Sequence, residues 1–295
     1  MSINSRLVAL SPQAIPPTLD FAASAWLKQW DIHLSNVKDT NSPTLHMRSW
    51  ELDHVLDVIQ RSMLRALLNE YQVDMAFLPP QFEPAEFRLL AIDMDSTLIN
   101  IECIDEIADF AGKKTAVARI TEATMRGEIT NFSDSLQQRV ALLAGVPTAV
   151  LEAVYRERLK PNVGATELIA QASHLGLHTL LVSGGFTFFT NKLQHALGFD
   201  QAHANTLEIQ DGCLTGKVLG NIIDGAAKAR CLEQACQALN CHKTHAIVIG
   251  DGANDLLMMA GTGLSIAYHA KPLVKEKADA AFDRVGLDAT LALLR

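Results

Sequence analysis

Two aspartates, Asp93 and Asp95, stand two residues apart where an apolar run of strand length, residues 89–92, comes to an end. Residues i and i+2 of an extended chain point in the same direction, so both carboxylates can face one crevice at the end of the strand. Crowded carboxylates repel each other, and a cation or a shared proton is needed to hold them together. One carboxylate of such a pair can attack phosphorus while the other manages the proton.

Two later apolar runs also end in polar residues. Glycines at such positions let backbone N–H groups approach an anion closely, and the helix start that follows favours negative charge. Ligands of open α/β sheets bind at the carboxyl ends of strands, so we expect these strand ends to converge. The run 179–182 is followed by Ser183-Gly184-Gly185, and the run 246–249 by Gly250-Asp251-Gly252-Ala253-Asn254-Asp255.

Lys228 falls within a segment of helical pattern, residues 224–239. A lysine on a helix is usually a solvated surface residue, and taken alone Lys228 would be interpreted in that way. Because it precedes the strand that ends in Gly-Asp-Gly, it is also placed to supply the fixed positive charge that a phosphoryl group needs.

The composition is that of a soluble enzyme. The 295 residues are 48% hydrophobic and 20% charged, which is enough to bury a large core in more than one domain. The net charge of −8 argues against nucleic acid as a partner. No apolar run approaches the roughly 20 residues of a membrane span, and the first residues do not read as a signal peptide. Five cysteines follow no zinc or redox spacing, so we expect free thiols and a cytoplasmic location.

Residues 1–80 have an apolar pattern of their own. Strands are predicted at 6–10, 33–37, 44–47 and 73–78, and helices at 19–30 and 51–68. Pro79, Pro80 and Pro84 then mark a linker. The order βαββαβ predicts a ferredoxin-like α+β domain, similar in pattern to the ACT-type modules that bind amino acids and pair with each other. An inert or dimerising appendage is an equally good interpretation, since no motif residue supports ligand binding.

After the linker, strands alternate with helices, which predicts an α/β fold with a parallel sheet. The motifs Asp93-Met-Asp-Ser-Thr, Ser183-Gly-Gly, the helix lysine and Gly250-Asp-Gly-Ala-Asn-Asp together resemble the haloacid dehalogenase-like superfamily of phosphohydrolases. Within it, residues 93–108, 182–186 and 266–272 closely resemble the phosphoserine phosphatase family. The resemblance implies a Rossmann-like core of residues 81–101 and 166–295, with helices on both faces of the sheet. It also implies a helical cap, residues 102–165, inserted after the first core strand.

The resemblance assigns a role to each matched residue. Asp93 would be the nucleophile that forms an aspartyl-phosphate, and Asp95 would be the general acid and base. Mg²⁺ would be held by Asp93, the backbone carbonyl of Asp95 and Asp251, with Asp255 behind these ligands. The substrate-binding residues of the core would be Ser183, Gly184, Lys228 and Asn254.

The family substrate, O-phospho-L-serine, carries an ammonium and a carboxylate besides its phosphate. Glu102 matches the family residue that meets the ammonium, and Arg139 matches the one that pairs with the carboxylate through its planar guanidinium. Met125 and Phe132 match apolar residues that line the pocket. A capping glutamate and a surface arginine are the simpler interpretations when each residue is taken singly. Their joint occurrence at the family positions favours Mg²⁺-dependent hydrolysis of phosphoserine, the last step of serine synthesis.

Other functions fit parts of the sequence. A halide-releasing dehalogenase would lack the second aspartate, whereas Asp95 is present, and an ion-pumping ATPase would need membrane spans. Phosphoryl transfer to an acceptor other than water is harder to dismiss. An amino-acid-binding regulatory protein with an inactive core is the alternative of a different class. The complete set of Asp93, Asp95, Lys228 and Asp251 counts against an inactive core.

Overall fold

The N-terminal part of the chain folds around an antiparallel sheet. A computed structural model describes residues 5–126 and 128–295, with the side chain of Met125 also outside the described part. The first elements are β1 (Ser5–Ser11), α1 (Thr18–Leu27), β2 (Leu34–Asn41), β3 (His46–Leu52), α2 (Val58–Glu70) and β4 (Asp74–Leu78). Their order is the predicted βαββαβ. The strands lie in the order β2-β3-β1-β4 with antiparallel neighbours, which is the arrangement of a split βαβ motif.

Two boundaries in this part differ from the prediction. The helix predicted over 51–68 begins only at Val58, because Asp57 caps it: the Asp57 carboxylate accepts from the Gln60 N–H, and the Gln60 side chain accepts from the Asp57 N–H. Residues 46–52 belong to β3 instead. The strand predicted at 33–37 continues beyond its predicted end to Asn41, because pairing with β3 satisfies its backbone.

The central strands are parallel and buried. In β5 (Leu89–Ile92) and β9 (Ala246–Gly250) every residue is buried, as expected for strands covered on both faces. The further elements of this part are β6 (His178–Phe186), β7 (Gln201–Gln210), β8 (Cys213–Leu219), β10 (Leu264–Tyr268), β11 (Ala280–Phe282), α7 (Ala165–His174), α8 (Thr187–Leu197), α9 (Gly225–Ala238), α10 (Leu256–Met259), α11 (Pro272–Lys277) and α12 (Ala289–Leu293). Strands β5, β6, β7, β9, β10 and β11 pair in parallel in the order β11-β10-β9-β5-β6-β7. None of the helices described is both long and apolar enough to cross a membrane.

The N-terminal and central strands form one continuous sheet. Strand β4 pairs antiparallel with β11, so the described strands make up an 11-stranded sheet. Beside this junction the buried Asp74 carboxylate accepts the N–H groups of Asp283, Arg284 and Val285 at 3.0, 2.7 and 2.9 Å. The N-terminal strands are therefore joined to the core by backbone pairing as well as by the linker.

A helical insertion separates β5 from β6. It consists of α3 (Cys103–Phe110), α4 (Lys114–Met125), α5 (Phe132–Ala141) and α6 (Ala149–Glu157). Its entry and exit strands lie side by side, since the Asn100 N–H donates to the Lys160 carbonyl at 3.0 Å and the Asn162 N–H to the Leu98 carbonyl at 2.9 Å. The antiparallel hairpin of β7 and β8 supports it from the core, where the Leu214 N–H donates to the Val146 carbonyl at 2.8 Å.

Candidate active site

The polar strand ends converge on one cavity of about 580 Å³. It is bounded by the ends of the parallel strands on one side and by the helical insertion on the other. Lys228 lies below its floor, in contact with Asp93. The side chain of Met125 is outside the described residues, so its place in the pocket stays a prediction. The cavity is lined by Asp93, Asp95, Glu102, Phe132, Arg139, Ser183, Gly184, Asp251 and Asn254, all of them singled out in the sequence.

Lys228 is a buried cation between two buried carboxylates. Its Nζ lies 2.6 Å from Oδ1 of Asp93 and 2.8 Å from Oδ1 of Asp255. Burial by itself lowers the pKa of Lys228, but the charges of Asp255 and Asp93 outweigh that effect and raise it, so the side chain stays protonated. The Met94 N–H also donates to Oδ1 of Asp93, at 2.8 Å. Among the described contacts, Oδ2 of Asp93 is thus the oxygen left for chemistry.

Three carboxylates form an acidic cluster at the same place. Asp93, Asp251 and Asp255 each contribute an oxygen, and these oxygens lie within 4.8 Å of one another. Burial, with the charge of Asp255, raises the pKa of Asp251 to about 6 and that of Asp93 well above its usual range. One lysine does not neutralise three such groups, so the donor set fits a divalent cation that takes oxygen ligands. The cluster includes the Asp255 carboxylate, which the sequence analysis placed behind the ligands.

Asp95 lies apart from this cluster, in a setting that favours its protonated form. Loss of hydration, with the nearby charge of Glu102, raises the pKa of Asp95 to about 7. The Cys103 N–H donates to its Oδ1 at 3.2 Å. Gly185 packs so closely that a Cβ there would lie 2.6 Å from Oδ2 of Asp95, which leaves room for glycine alone. A carboxyl group with a pKa near neutral pH can both give and accept a proton.

Glu102 and Arg139 place opposite charges on the insertion side of the cavity. Oε1 of Glu102 accepts from the Ser96 hydroxyl at 2.7 Å, and Ser96 holds a left-handed backbone conformation with φ of 56°. Nε of Arg139 donates to the Ser135 carbonyl at 3.3 Å, so a backbone group orients the guanidinium. A carboxylate and a guanidinium in one cavity can bind the ammonium and the carboxylate of an amino acid.

Lys271 is a cavity residue that is not among the site residues predicted from the sequence. It lines the cavity, and its backbone N–H donates to the Asp251 carbonyl at 3.0 Å. The side chain is exposed, and its ammonium has no hydrogen-bond or ion-pair partner among the residues that the structure describes. The available signal in the sequence was its position shortly after the mainly apolar segment 264–267, since loops at the carboxyl ends of strands border such sites.

Comparison with known proteins agrees with this geometry. Residues 90–260 match the family described as haloacid dehalogenase-like hydrolase. A phosphoserine phosphatase of Polaromonas sp. is 52% identical over 220 residues, which cover 73% of this chain and 93% of the relative. The chain belongs to the phosphoserine phosphatase family of haloacid dehalogenase-like hydrolases.

Solved structures of this hydrolase family extend the likeness over nearly the whole chain. A haloacid dehalogenase family hydrolase of Salmonella enterica has a TM-score of 0.88 at 29% identity and covers 99% of each chain. A probable phosphoserine phosphatase of Vibrio cholerae, in its unliganded form, has a TM-score of 0.79 at 34% identity and covers 98% of this chain and 86% of that one. Both alignments include the N-terminal segment as well as the hydrolase core.

Proposed function

We propose that this protein hydrolyses O-phospho-L-serine to L-serine and phosphate through an aspartyl-phosphate on Asp93. The observation that carries the proposal is the content of one cavity: a carboxylate beside a buried lysine, a second carboxyl with a pKa of about 7, and the pair Glu102 and Arg139. The first two groups suit phosphoryl transfer, and the pair suits the amino-acid part of the substrate.

Asp93 attacks first. Its Oδ2 forms a bond to phosphorus while the bond from phosphorus to the serine oxygen breaks, and Asp95 donates its proton to that oxygen. Lys228 holds Oδ1 of Asp93 at 2.6 Å and so orients the nucleophile. With the backbone at Ser183 and Gly184, it also stabilises the charge on the transferring group.

The same residues then hydrolyse the aspartyl-phosphate. Asp95, now a carboxylate, takes a proton from a water molecule whose oxygen attacks phosphorus. The bond from phosphorus to Asp93 breaks, which releases phosphate and restores both aspartates. The environment that raises the pKa of Asp95 to about 7 suits both steps of the reaction, because the Asp95 carboxyl group must act as an acid in the attack by Asp93 and as a base in the attack by water.

The acidic cluster would hold Mg²⁺. The carboxylates of Asp93 and Asp251 and the backbone carbonyl of Asp95 are the ligands we propose, and Asp255 orients Lys228 behind them. When bound, the ion neutralises the carboxylates and draws charge from the phosphoryl oxygens.

Substrate choice lies in the helical insertion, which acts as a cap. Glu102 binds the substrate ammonium, Arg139 binds its carboxylate, and Met125 and Phe132 enclose its carbon atoms. Asn254, which lines the cavity in the segment after β9, contacts the phosphoryl end. Closure of the cap excludes water from the first step, which protects the attack by Asp93.

Phosphate release from L-phosphoserine with Mg²⁺ tests the reaction. The wild type turns over, and Asp93→Asn, which keeps the shape but removes the nucleophilic charge, loses activity by at least about a thousandfold. Asp134→Asn, an exposed carboxylate on α5, serves as the matched control and retains turnover. An inactive wild type, or full turnover by Asp93→Asn, would show that the proposed mechanism is wrong.

Phosphoethanolamine tests the assignment of Arg139, because it has the ammonium and phosphate of phosphoserine but no carboxylate. Arg139→Ala weakens kcat/KM for phosphoserine by about 10²-fold or more and changes phosphoethanolamine far less. Equal losses for the two substrates would refute a carboxylate contact.

We propose that the chain divides into an N-terminal domain (1–80), a hydrolase core (81–101 and 166–295) and the cap (102–165). The βαββαβ order of residues 5–78 supports an ACT-like role for the first, in which serine binding modulates turnover. Calorimetric titration of the full chain with L-serine tests it in the Arg139→Ala background, where the active site binds serine far more weakly. Serine binding at undiminished affinity in this variant supports a sensor, and loss of that binding leaves the N-terminal domain as an appendage.

We also propose that two chains pair through the N-terminal domain. Ile59 and Met63 lie one turn apart on α2 and are 70% and 47% exposed, which is unusual for apolar side chains on one helix face. Sedimentation of Ile59→Lys tests the pairing, with Leu175→Lys in the core as a control of similar exposure. A change to monomer only with Ile59→Lys supports the interface.

We place the reaction in the reducing cytoplasm. The five cysteines are free thiols in the structure, and Cys103 and Cys236 are buried, as suits a protein that folds without disulfides. Immunodetection in fractionated cells tests this location.

A further inference from the structure

Asn205, in β7, is a buried amide that bonds to two elements of the active site. The residue is 1% exposed. Its Nδ2 donates to the Gly184 carbonyl at 2.8 Å, and its Oδ1 accepts from the Ile223 N–H at 2.8 Å. The two partners fix the orientation of the amide, since one of them can only accept and the other can only donate.

The hydrogen bond from Asn205 to the Gly184 carbonyl lies where the pairing of β6 with β7 is interrupted. Strands β6 and β7 pair at Val182 and His203 and again at Phe186 and Asn205, so β6 advances four residues while β7 advances two. Three residues of β6, 183–185, therefore lie opposite one residue of β7; they leave the ladder as a bulge and reach the cavity wall. A bulge takes backbone groups away from their strand partners, and the Asn205 side chain supplies a donor to one of them, the Gly184 carbonyl.

The second contact reaches the helix that carries Lys228. Ile223 directly precedes Asp224, whose carboxylate caps α9 by accepting the Ala227 N–H at 2.8 Å. Lys228 follows in the first turns of that helix and meets Asp93 at 2.6 Å. One side chain therefore links the bulge at Ser183 and Gly184 to the base of the lysine helix.

We propose that Asn205 is a positioning residue that sets the spacing between the glycine bulge and Lys228. The inference rests on the proposed function, in which these two elements hold the transferring phosphoryl group from different sides. Asn205 acts through backbone groups of Gly184 and Ile223 and is not among the described residues that line the cavity. If the bulge shifts relative to Lys228, the donors no longer match the phosphoryl oxygens, although the pocket for the amino-acid part stays intact.

Steady-state kinetics of Asn205→Ala and Asn205→Asp tests the inference. Asn205→Asp keeps the volume and the acceptor for Ile223 but replaces the donor to Gly184 with an oxygen. The matched control is Thr179→Val in β6, which removes a buried hydroxyl bonded to Asp200 at 2.9 Å near the opposite end of the same strand pair. Melting temperatures are measured for all three variants, so that lost stability is separated from lost catalysis.

We expect kcat for phosphoserine to fall by about 10- to 100-fold in both Asn205 variants and to stay within about twofold in Thr179→Val. Competitive inhibition by inorganic phosphate weakens in the Asn205 variants, whereas inhibition by L-serine, which uses Glu102 and Arg139, does not change. A general loss of structure would weaken both inhibitors together. If Asn205→Ala does not fold, the same comparison is decided by Asn205→Asp.

Two results overturn the inference. One is kcat within twofold of wild type in a folded Asn205 variant, and the other is a parallel loss of phosphate and serine inhibition. Either result leaves the proposed function standing as long as the wild type hydrolyses phosphoserine. A wild type without turnover would refute the proposed function itself, and the two failures are therefore distinguishable.

Discussion

Replacement of Lys228 by methionine tests the electrostatic arrangement on which the site depends. Methionine has nearly the volume of lysine without its charge. In the wild type the side chains of Asp93 and Asp255 are 6% and 0% exposed, and the Lys228 ammonium lies 2.6 and 2.8 Å from their oxygens. In the variant both carboxylates stay buried but lose this ammonium. The substitution therefore leaves two buried carboxylates facing each other.

The distances set the size of the effect. At an effective dielectric constant of about 20, each ion pair at this separation has a Coulomb energy of about 6 kcal/mol. The cost of removing the ions from water offsets much of this energy, and loss of one partner of a buried pair destabilises a protein by about 3–5 kcal/mol. For a chain of this size that is a fall of about 5–8 °C in melting temperature. We expect kcat to fall by about 10²- to 10³-fold as well, since an oriented charge at the phosphoryl group is lost.

Calorimetry in EDTA and in Mg²⁺ measures the stability, and Lys217→Met, an exposed lysine of β8, is the control. The stability loss should be larger in EDTA, because bound Mg²⁺ replaces part of the missing charge. It should also grow as pH rises above the ordinary range of a carboxyl pKa. Asp93 already has a raised pKa; without Lys228 the pKa rises further, so the folded state favours the proton and loses stability as pH climbs through that value.

Equal melting temperatures for Lys228→Met and Lys217→Met would refute the buried ion-pair account. A stability loss that shrinks as pH rises would contradict the direction of the linkage. Loss of stability with kcat unchanged would keep the structural account and remove Lys228 from the mechanism.

Three further predictions concern other parts of the molecule. Because the pKa of Asp95 is about 7, kcat for phosphoserine, if limited by departure of the leaving group, should fall about tenfold per pH unit above pH 7. The fall should be smaller for p-nitrophenyl phosphate, whose leaving group needs no proton. Parallel pH profiles for the two substrates would contradict the role of Asp95 as an acid. Lys271→Gln should raise KM for phosphoserine several-fold at low salt and have little effect at about 0.5 M NaCl, because salt screens the field of an exposed charge. An effect on KM that does not depend on salt in initial-rate measurements would exclude electrostatic attraction of the substrate by Lys271. Asp74→Ala should lower the free energy of unfolding by about 1–3 kcal/mol in urea titrations, because three backbone N–H groups lose their acceptor, with kcat at 25 °C unchanged.

Local sequence patterns were sufficient to predict the position of a residue where that position depends on a single strand or helix. The apolar run before Asp93 predicted a strand, and the alternation of strands and helices predicted that the strand ends would share an edge. Lys228 was placed on its helix by the same periodicity. These inferences succeed because side-chain direction in a strand or helix follows from sequence spacing alone.

Long-range contacts were not predictable in this way. The pairing of β4 with β11 joins residues 74–78 to 280–282. No pattern within either segment indicates that these two strands form hydrogen bonds with each other. The start of α2 at Val58 was missed because the capping by Asp57 and the pairing of β3 outweighed an apolar spacing that suits a helix. Competition between such interactions is resolved only when the whole chain has packed.

The sequence by itself determined the chemistry of this protein: a paired carboxylate at a strand end, an acidic Gly-Asp-Gly turn and a helix lysine, which together specify phosphoryl transfer. Only the tertiary structure decided how these groups act on one another. The pKa of Asp95 depends on burial and on the charge of Glu102, and the link from Gly184 to Ile223 depends on the Asn205 amide between them. Local spacing fixes which way a side chain points, whereas electrostatics and hydrogen bonding depend on distances that folding alone creates.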